Sequence, residues 1–589
     1  MQGNILLENA INQYSSGHSD EAEKLFRQVL EFNPFDGKAL YFLGIIALSK
    51  GITDEACRLL FKACLSEPQN KDFLYSLAVA LQEDGKFDEA IARYEKIADM
   101  AEAQNNLGNL YRQIGKLDKS RAAFDKALQI NPNMVWAYVN KALLERQEGH
   151  RNEAAKLLEK ALQIEPDFIQ ALYQLSIQNR LNKEFNKSLQ LIEKALKLNE
   201  NIDFIWVEYG KVLKALNQTE KALDAFEKAI NLNRFCVDAY FEKAYLLEQS
   251  DPQTAEQAYR NVLRIDVNNI AAYNNLGALL YRQNRVMEAL EMYRSVFIIK
   301  PDDVFAAFNL AIALEDLDNF EEAAGLYFKI LGQKQLEQAV HLRLANMLPK
   351  WYEKDDKTAK KYAEGWVKNF PDNPLALHTN DALNGKTSSD DIDFAYTQAF
   401  YNAFADSYDE KMKLLKCQIP NLIADKIKGK TFDNVLDLGC GTGACGSVLR
   451  SKTKHLIGVD ISKNMIQKAE EKHIYDALFT NDISDFIQNT KEHFDLIVSA
   501  DVFCYINKLN NIFKYILKLL KPSGKFVFTI EKASGNTTQL QSSGRYKHPQ
   551  KQIEKELKEA GFTNIHADEV TLRQEKNNDC IGLLFTAKK

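Results

Sequence analysis

The sequence predicts an all-helical repeat solenoid followed by an α/β domain built on a mostly parallel sheet. Three observations in the 589 residues carry this reading. Prolines recur at intervals of 34 residues in the first part (Pro34 to Pro68, Pro132 to Pro166) and again at Pro301. After about residue 392 the helical periodicity gives way to short apolar runs alternating with amphipathic stretches, the pattern of strands joined by helices. One apolar run, Val435-Leu-Asp-Leu438, enters the turn Gly439-Cys-Gly-Thr-Gly443, and Asp460 ends the next run 21 positions after Gly439.

The bulk composition sets limits. Hydrophobic residues make up 46% and charged residues 26%, ordinary for globular protein. A net charge of −6 argues against nucleic acid as the main partner. No apolar run reaches the roughly 18 residues a membrane span needs. The start, Met1-Gln-Gly-Asn-Ile, lacks the basic and apolar regions of a secretory signal. Eight scattered cysteines form no C-x-x-C pair and no cluster with zinc spacing. We expect free thiols in the cytoplasm, no metal and no membrane partner.

In the first part, small residues return at fixed places. Gly44, Gly108, Gly210 and Gly277 mark the first helix of a unit. Ala56, Ala90, Ala154, Ala222 and Ala289 mark the second, each followed four positions on by Leu60, Tyr94, Leu158, Phe226 or Tyr293. Small residues at a crossing let antiparallel helices approach closely, and the larger residue fills the hole beside them. Units begin near residues 3, 37, 71, 101, 135, 169, 203, 237, 270 and 304, with a degenerate unit and a capping helix over 335–383. Residues 1–383 resemble tetratricopeptide-repeat proteins. In that family the first helix lines the concave face, and the sixth position of the units reads Asn106, Asn140, Asn275 and Asn309 in four of them. This column is similar to the asparagine ladder of the repeats of the O-linked N-acetylglucosamine transferase. The resemblance implies a protein or peptide partner held in the groove by its backbone. A merely solvated polar face would read the same way.

Residues 384–391, Asn-Gly-Lys-Thr-Ser-Ser-Asp-Asp, are small, polar and aperiodic, a linker pattern. Beyond them we expect a helix over 396–413 and another near 421–428. Strands are expected at 432–438, 455–460, 477–480, 494–500, 525–531, 562–570 and 580–587, the last two as a hairpin. Helices are expected near 444–450, 464–471, 483–489, 508–520 and 549–560. Glycines let a backbone approach a ligand closely, and a carboxylate can accept both hydroxyls of a ribose, so Gly439–Gly443 with Asp460 calls for a nucleoside cofactor. A dinucleotide fingerprint would put its third glycine at position 444, which is Ala444.

The runs Val435-Leu-Asp-Leu-Gly-Cys-Gly-Thr-Gly443, Gly458-Val-Asp-Ile-Ser462, Phe494-Asp-Leu-Ile-Val-Ser-Ala500 and Leu520-Lys-Pro-Ser-Gly-Lys-Phe-Val527 succeed one another along the chain. They resemble the successive signatures of class I S-adenosylmethionine-dependent methyltransferases over residues 392–589. The whole chain resembles bacterial methyltransferases with amino-terminal repeats, which share a tail like Ser543-Gly-Arg-Tyr-Lys-His548. Two departures stand out: Asn402 where relatives carry an acid, and Ser523 for a glycine. The resemblance implies a Rossmann-like seven-stranded sheet with S-adenosylmethionine as cofactor. It assigns Gly439, Gly441 and Gly443 to the methionine portion, with Asp437 facing its amino group. Asp460 takes the ribose, Ile461 the adenine face, Asp482 with Ile483 the adenine edge, and Tyr401 and Tyr408 close the pocket. Asp482 reads equally as a helix cap. On the acceptor side the candidates are Asp501, Tyr505, Arg545, Tyr546 and His548, with His548 as a base or, alternatively, a tether before the helix at Pro549. Cys504 reads as packing, for want of a partnered base. The function implied is a methyltransferase whose repeats recruit a protein acceptor. The alternatives are a small-molecule methyltransferase with a repeat scaffold, or an adaptor with a vestigial cofactor domain.

Overall fold

The computed structural model describes residues 2–575 and 578–589. They form two compact units, Met1–Asn275 and Leu276–Lys589. Helices come in antiparallel pairs, from Gln2–Ser15 with Ser19–Phe32 through Val304–Asp316 with Phe320–Ile330. One further pair comes next, Glu337–Tyr352 with Asp356–Asn369, and then the single helix Pro374–Leu383. The crossing rule explains the pairing. A Cβ added to Gly108 would come within 2.6 Å of the Phe124 ring, and one on Gly210 within 2.5 Å of Phe226. Gly44 meets Leu60 and Gly277 meets Tyr293 in the same way. The glycine on the first helix is thus the partner of the large residue on the second.

In the second unit, parallel strands run in the order β3 (Ala477–Thr480), β2 (Thr453–Asp460), β1 (Phe432–Leu438), β4 (Phe494–Ser499), β5 (Leu520–Lys532). Both faces are covered, so the strands read as nearly continuous apolar runs. Leu436, Leu438, Ile497 and Phe528 pack with Phe486 and Phe513 on one face. Val435, Leu496, Val498 and Val527 pack with Ile423 and Leu449 on the other. The strand order reverses between β1 and β4, which opens a crevice at their carboxyl ends. The two loops that enter it are Gly439–Gly443 and the segment after Ser499.

The expected hairpin is present: β8 (Thr563–Glu575) pairs antiparallel with β9 (Asn578–Lys588), and β9 with β5. Three features differ from expectation. The helix expected over 396–413 is two, Asp390–Phe404 and Tyr408–Leu414, separated by a tight turn at Ala405–Ser407. There the Ser407 hydroxyl donates to the Phe404 carbonyl, a local bond that competes with the helical ladder. The tail read as loop contains a small hairpin, β6 (Gln539–Leu540) with β7 (Tyr546–His548), and β7 extends the sheet beside the end of β5. The stretch expected to be a linker lies inside the second unit. Its Ser388 is buried and donates to Asp381, so it is packed rather than free.

Candidate functional site

The glycine loop is built from left-handed backbone. Gly439, Gly441 and Gly443 have φ of 72°, 53° and 91°, values that cost a side-chain-bearing residue. The N–H groups of Gly439 and Cys440 both donate to the Val459 carbonyl, which ties the loop to β2. Asp460, the last residue of β2, then accepts from the Gly441 N–H at 2.8 Å and from the Ser462 N–H at 2.9 Å. Burial raises its pKa to about 6 against the pull of these backbone donors. Beneath the loop, Asp437 is fully buried and accepts from the Tyr475 hydroxyl at 2.7 Å. Its other oxygen has no partner among the described residues. Burial pushes this acid up to about 7, Tyr475 opposes the shift, and Asp460 adds to it.

A cavity of about 610 Å³ opens over the loop, within the range of small-molecule sites. Its wall carries Gly439, Gly441, Asp460 and Ile461, then Asp482 and Ile483 beyond β3, then Asp501 and Tyr505 beyond β4. Tyr401 and Tyr408 cover it from the leading helices. That cover is pinned to β2: the Ser462 hydroxyl donates to Asn402 Oδ1 at 2.8 Å, and Asn464 donates to the Asn402 carbonyl at 2.7 Å. Asn402 serves here through its two acceptor oxygens, a task that needs no charge. A second cavity of about 430 Å³ shares Tyr408, Gly439, Gly441, Ala500 and Asp501 with the first.

Past β4, Asp501 has a φ of 57°, a strained conformation for a non-glycine residue, and donates its N–H to the Thr529 hydroxyl. Its carboxylate accepts from Arg545 Nη2 at 2.6 Å and from Arg573 Nη1 at 3.2 Å. Arg573 also donates to Glu531 at 2.5 Å, while Arg545 Nε lies 2.5 Å from the same Glu531 oxygen without hydrogen-bond alignment. Burial opposes ionisation of Glu531, but the two guanidiniums outweigh it and hold its pKa below the ordinary value. The Tyr505 oxygen accepts from both Tyr401 and Arg545 at 2.7 Å, which leaves the Tyr505 proton to donate. Two acids and two guanidiniums thus form a closed network at the cavity wall.

Residues 408–567 match the methyltransferase domain family. Tetratricopeptide-repeat families match 7–72, 72–95, 101–134, 137–168, 205–236, 245–304 and 274–335. The chain carries a methyltransferase domain behind tetratricopeptide repeats. The domain is similar to phosphoethanolamine N-methyltransferase 1 of Zea mays, 32% identical over 157 residues, which are 25% of this chain and 31% of that protein. It is also similar to malonyl-[acyl-carrier protein] O-methyltransferase of Priestia megaterium, 29% identical over 160 residues, 26% of this chain and 56% of that one. The chain therefore spans only part of each relative's length. Among solved structures, the repeats are similar to YrrB, described as a repeat protein with an unusual peptide-binding site. The identity is 25%, over 31% of this chain and 95% of that one, with a TM-score of 0.26.

In the methyltransferase domain the expected cofactor residues are brought together with two exceptions. Asp437 and Gly443 do not line the cavity: Asp437 lies under the loop, and Gly443 begins the helix Ala444–Leu449 against the Tyr475 ring. Asp482 both lines the cavity and caps the next helix through Ser484 and Asp485. On the acceptor side Asp501 and Tyr505 line the cavity, and Arg545 stands one bond behind them. His548 does not reach it. Pairing of β7 with β5 turns its ring inward, where Nε2 meets the Phe503 carbonyl at 2.9 Å and Nδ1 the Thr538 hydroxyl at 3.1 Å. Burial lowers its pKa, so the ring is a tether and not an exposed base. Tyr546 is also fully buried, its hydroxyl donating to Asp393 at 2.8 Å. Burial drives the Cys504 thiol well above its ordinary pKa, which suits packing.

In the repeats, three ladder amides have internal partners. Asn106 donates to Tyr75, Asn140 to Asn105 and Asn275 to Tyr259. Asn309 is half-buried on the helix Val304–Asp316. Sequence reasoning missed a cationic column six residues further along the first helices: Arg112, Arg146, Arg180 and Lys214 recur every 34 residues. Arg180 and Lys214 pair with Glu208 and Glu242. Arg112 Nε and Arg146 Nη1 are buried without a hydrogen-bond partner among the described residues. It also missed Tyr475, Glu531 and Arg573. Only Glu531 had a signal, since it follows the buried run Phe526, Val527, Phe528 and Ile530, whereas Arg573 lies in a strand that is mostly exposed or half-buried.

The site fits S-adenosylmethionine. Nothing lies within 4 Å of a Cβ built on Gly441, so the loop presents bare backbone to open space, as a cradle must. Asp460 stands beside it on the same cavity wall, with its carboxylate already aligned by the Gly441 N–H.

Proposed function

We propose that the chain is an S-adenosylmethionine-dependent methyltransferase whose repeats recruit a protein acceptor. The observation that carries the first half is the bond from the Gly441 N–H to Asp460 at the wall of a cavity whose far side is Asp501 and Tyr505. Donor-side and acceptor-side groups thereby share one chamber. The cofactor would supply the electrophilic methyl group on its sulfonium. Asp460 would hold the ribose hydroxyls, Ile461 and Ile483 the adenine, and the loop backbone the amino-acid end. Tyr401 and Tyr408, on the covering helices, would exclude water and set the approach angle, since methyl transfer is an in-line displacement that depends on near-attack geometry. Tyr505 can donate its remaining proton to an acceptor atom. Asp501, at the junction of the two cavities, can accept one from it.

The partner half rests on the repeats. Asn140 and Asn275, braced from within by one bond each, keep acceptor oxygens and second amide protons for a peptide backbone, whereas Asn106 spends its amide protons on Tyr75 and Tyr94 and accepts from Asn105. Arg112 Nε and Arg146 Nη1 lack a hydrogen-bond partner among the described residues, and a column of positive charge left short of acceptors favours a segment carrying acidic residues. Eight unpaired cysteines suit a cytoplasmic location, and no helix among the described residues is long and apolar enough to cross a membrane. The experiment is incubation with S-adenosylmethionine labelled in the methyl group and a cell lysate. Label in one protein band, lost when Arg112 and Arg146 are both replaced by alanine, supports the reading. Label confined to small molecules overturns the protein acceptor, and no label in any fraction overturns the enzyme.

A further inference from the structure

We infer that His378, on the last helix before the methyltransferase domain, is a positioning residue for the methyl-transfer site; this rests on the methyltransferase reading above. His378 is 1% exposed, and both ring nitrogens are engaged. Nδ1 lies 2.9 Å from Asp393 Oδ1, and Nε2 lies 3.0 Å from the Gly544 carbonyl oxygen. Tyr396 stacks on the ring with centroids 3.9 Å apart. Asp393 is shared, since its second oxygen accepts from Tyr546 at 2.8 Å. All of these residues belong to the compact unit Leu276–Lys589.

The Gly544 carbonyl matters because Arg545 is the next residue. A carbonyl and the N–H after it lie in one rigid peptide plane. Holding the Gly544 oxygen therefore fixes the plane from which Arg545 departs. Arg545 is the residue that donates to Asp501 at 2.6 Å and to Tyr505 at 2.7 Å. The turn that carries it, Gln541–Arg545, is short and closed by bonds from the Gly544 N–H to Gln541 and from the Gln541 N–H to Arg545. Gly544 has a φ of 75°, and a Cβ there would come within 3.0 Å of the Tyr396 hydroxyl. The turn is thus seated against the helix Asp390–Phe404. The same helix carries Tyr401, which donates to Tyr505. The contacts form a ring: His378 to Gly544, Arg545 to Tyr505, Tyr505 to Tyr401, and along the helix back to Asp393 and His378. Loss of the histidine opens this ring at its bond to the Gly544 carbonyl.

The test uses the full-length chain, with S-adenosylhomocysteine as probe in titration calorimetry and hydrogen exchange followed over residues 541–548. We expect His378→Ala to weaken binding by about tenfold or more and to speed exchange in that turn. His378→Gln, whose amide can still donate to the Gly544 carbonyl, should recover most of the affinity. In a chain already carrying Arg545→Gln, His378→Ala should add less than about twofold, because both changes break one chain of contacts. Unchanged affinity in His378→Ala, a full additional loss on the Arg545→Gln background, or unchanged exchange at 541–548 would each overturn the inference, even if the melting temperature falls. Failure of the unmodified chain to bind the probe would instead overturn the methyltransferase reading on which this one stands.

Discussion

Asp460 Oδ2 accepts the Gly441 N–H at 2.8 Å, so the acid that closes β2 also holds the middle of the loop that closes β1. One side chain therefore does two jobs. It fixes the backbone on which a ligand would rest, and it stands on the cavity wall where that ligand's hydroxyls would lie. Parallel register makes this possible: Leu438 of β1 lies opposite Val459 of β2, so the two strands end side by side.

Asp460→Ala should weaken S-adenosylhomocysteine binding by about 1.5–3 kcal/mol, the scale of hydrogen bonds to a charged group. The carboxylate must be ionised to accept fully, and its pKa is raised to about 6. Affinity of the unmodified chain should therefore climb as pH rises through about 6 and level off above it, while Asp460→Ala shows no such step. Calorimetry between pH 5 and 8 reads both. A flat profile in the unmodified chain would remove Asp460 from the ribose.

Asp437→Asn should stabilise the domain at neutral and alkaline pH. The folded state keeps this proton up to about 7, whereas the unfolded chain releases it near 3.8. Stability from this group is thus complete below 3.8 and is lost as pH rises toward 7. Asparagine escapes that loss and can still accept from Tyr475, though its new N–H inherits the unpartnered position. The net gain should be about 1–3 kcal/mol at pH 8 and vanish near pH 4. Denaturant melts at the two pH values decide, and equal stability at pH 8 contradicts the burial argument.

Gly441→Val and Gly439→Ala should fail differently. A side chain at 441 meets no neighbour, so valine costs only its left-handed backbone, about 1–2 kcal/mol, and projects into the cavity. The domain should fold yet lose the probe. At 439 even a methyl group would sit 2.2 Å from Val502 Cγ2, so alanine should lower the melting temperature as well. Circular dichroism with calorimetry separates the two. A folded Gly441→Val chain that still binds the probe would refute the cradle.

What was legible in the sequence depended on locality. The repeat crossings pair residues 16 apart, such as Gly108 with Phe124, and so repeat visibly along the chain. Gly439–Gly443 and Asp460 sit at successive strand ends, where spacing alone brings them together. Arg573 meets Glu531 through pairing of β5, β9 and β8, and His378 meets Gly544 across 166 positions, with nothing local to mark either. His548 misled because company in a motif says nothing about which way a ring turns. Pairing of β7 with β5 decided that.

Asn140→Ala should cost the repeats about 0.5–1.5 kcal/mol, the worth of one intramolecular hydrogen bond, because Asn140 Nδ2 bonds Asn105 on the preceding unit's first helix. A solvated surface amide would cost nothing measurable. Denaturant melts of the unmodified and mutant chains distinguish them.

Deleting residues 1–383 would remove more than a recruiting arm. Ala382 packs with Leu540 and Tyr546, and His378 holds Gly544, so the helix Pro374–Leu383 is part of the floor beneath the Arg545 turn. That helix in turn packs on Glu337–Tyr352 and Asp356–Asn369. A chain of residues 337–589 should therefore bind S-adenosylhomocysteine as the full chain does, whereas residues 384–589 should bind at least about tenfold more weakly and melt earlier. Both should turn over the physiological acceptor poorly, since neither retains Arg112 and Arg146 and each must capture its acceptor from dilute solution. Equal probe affinity for the two truncated chains would make the last helix a passive cap. Full turnover by residues 337–589 would mean that the acceptor reaches Asp501 without the groove.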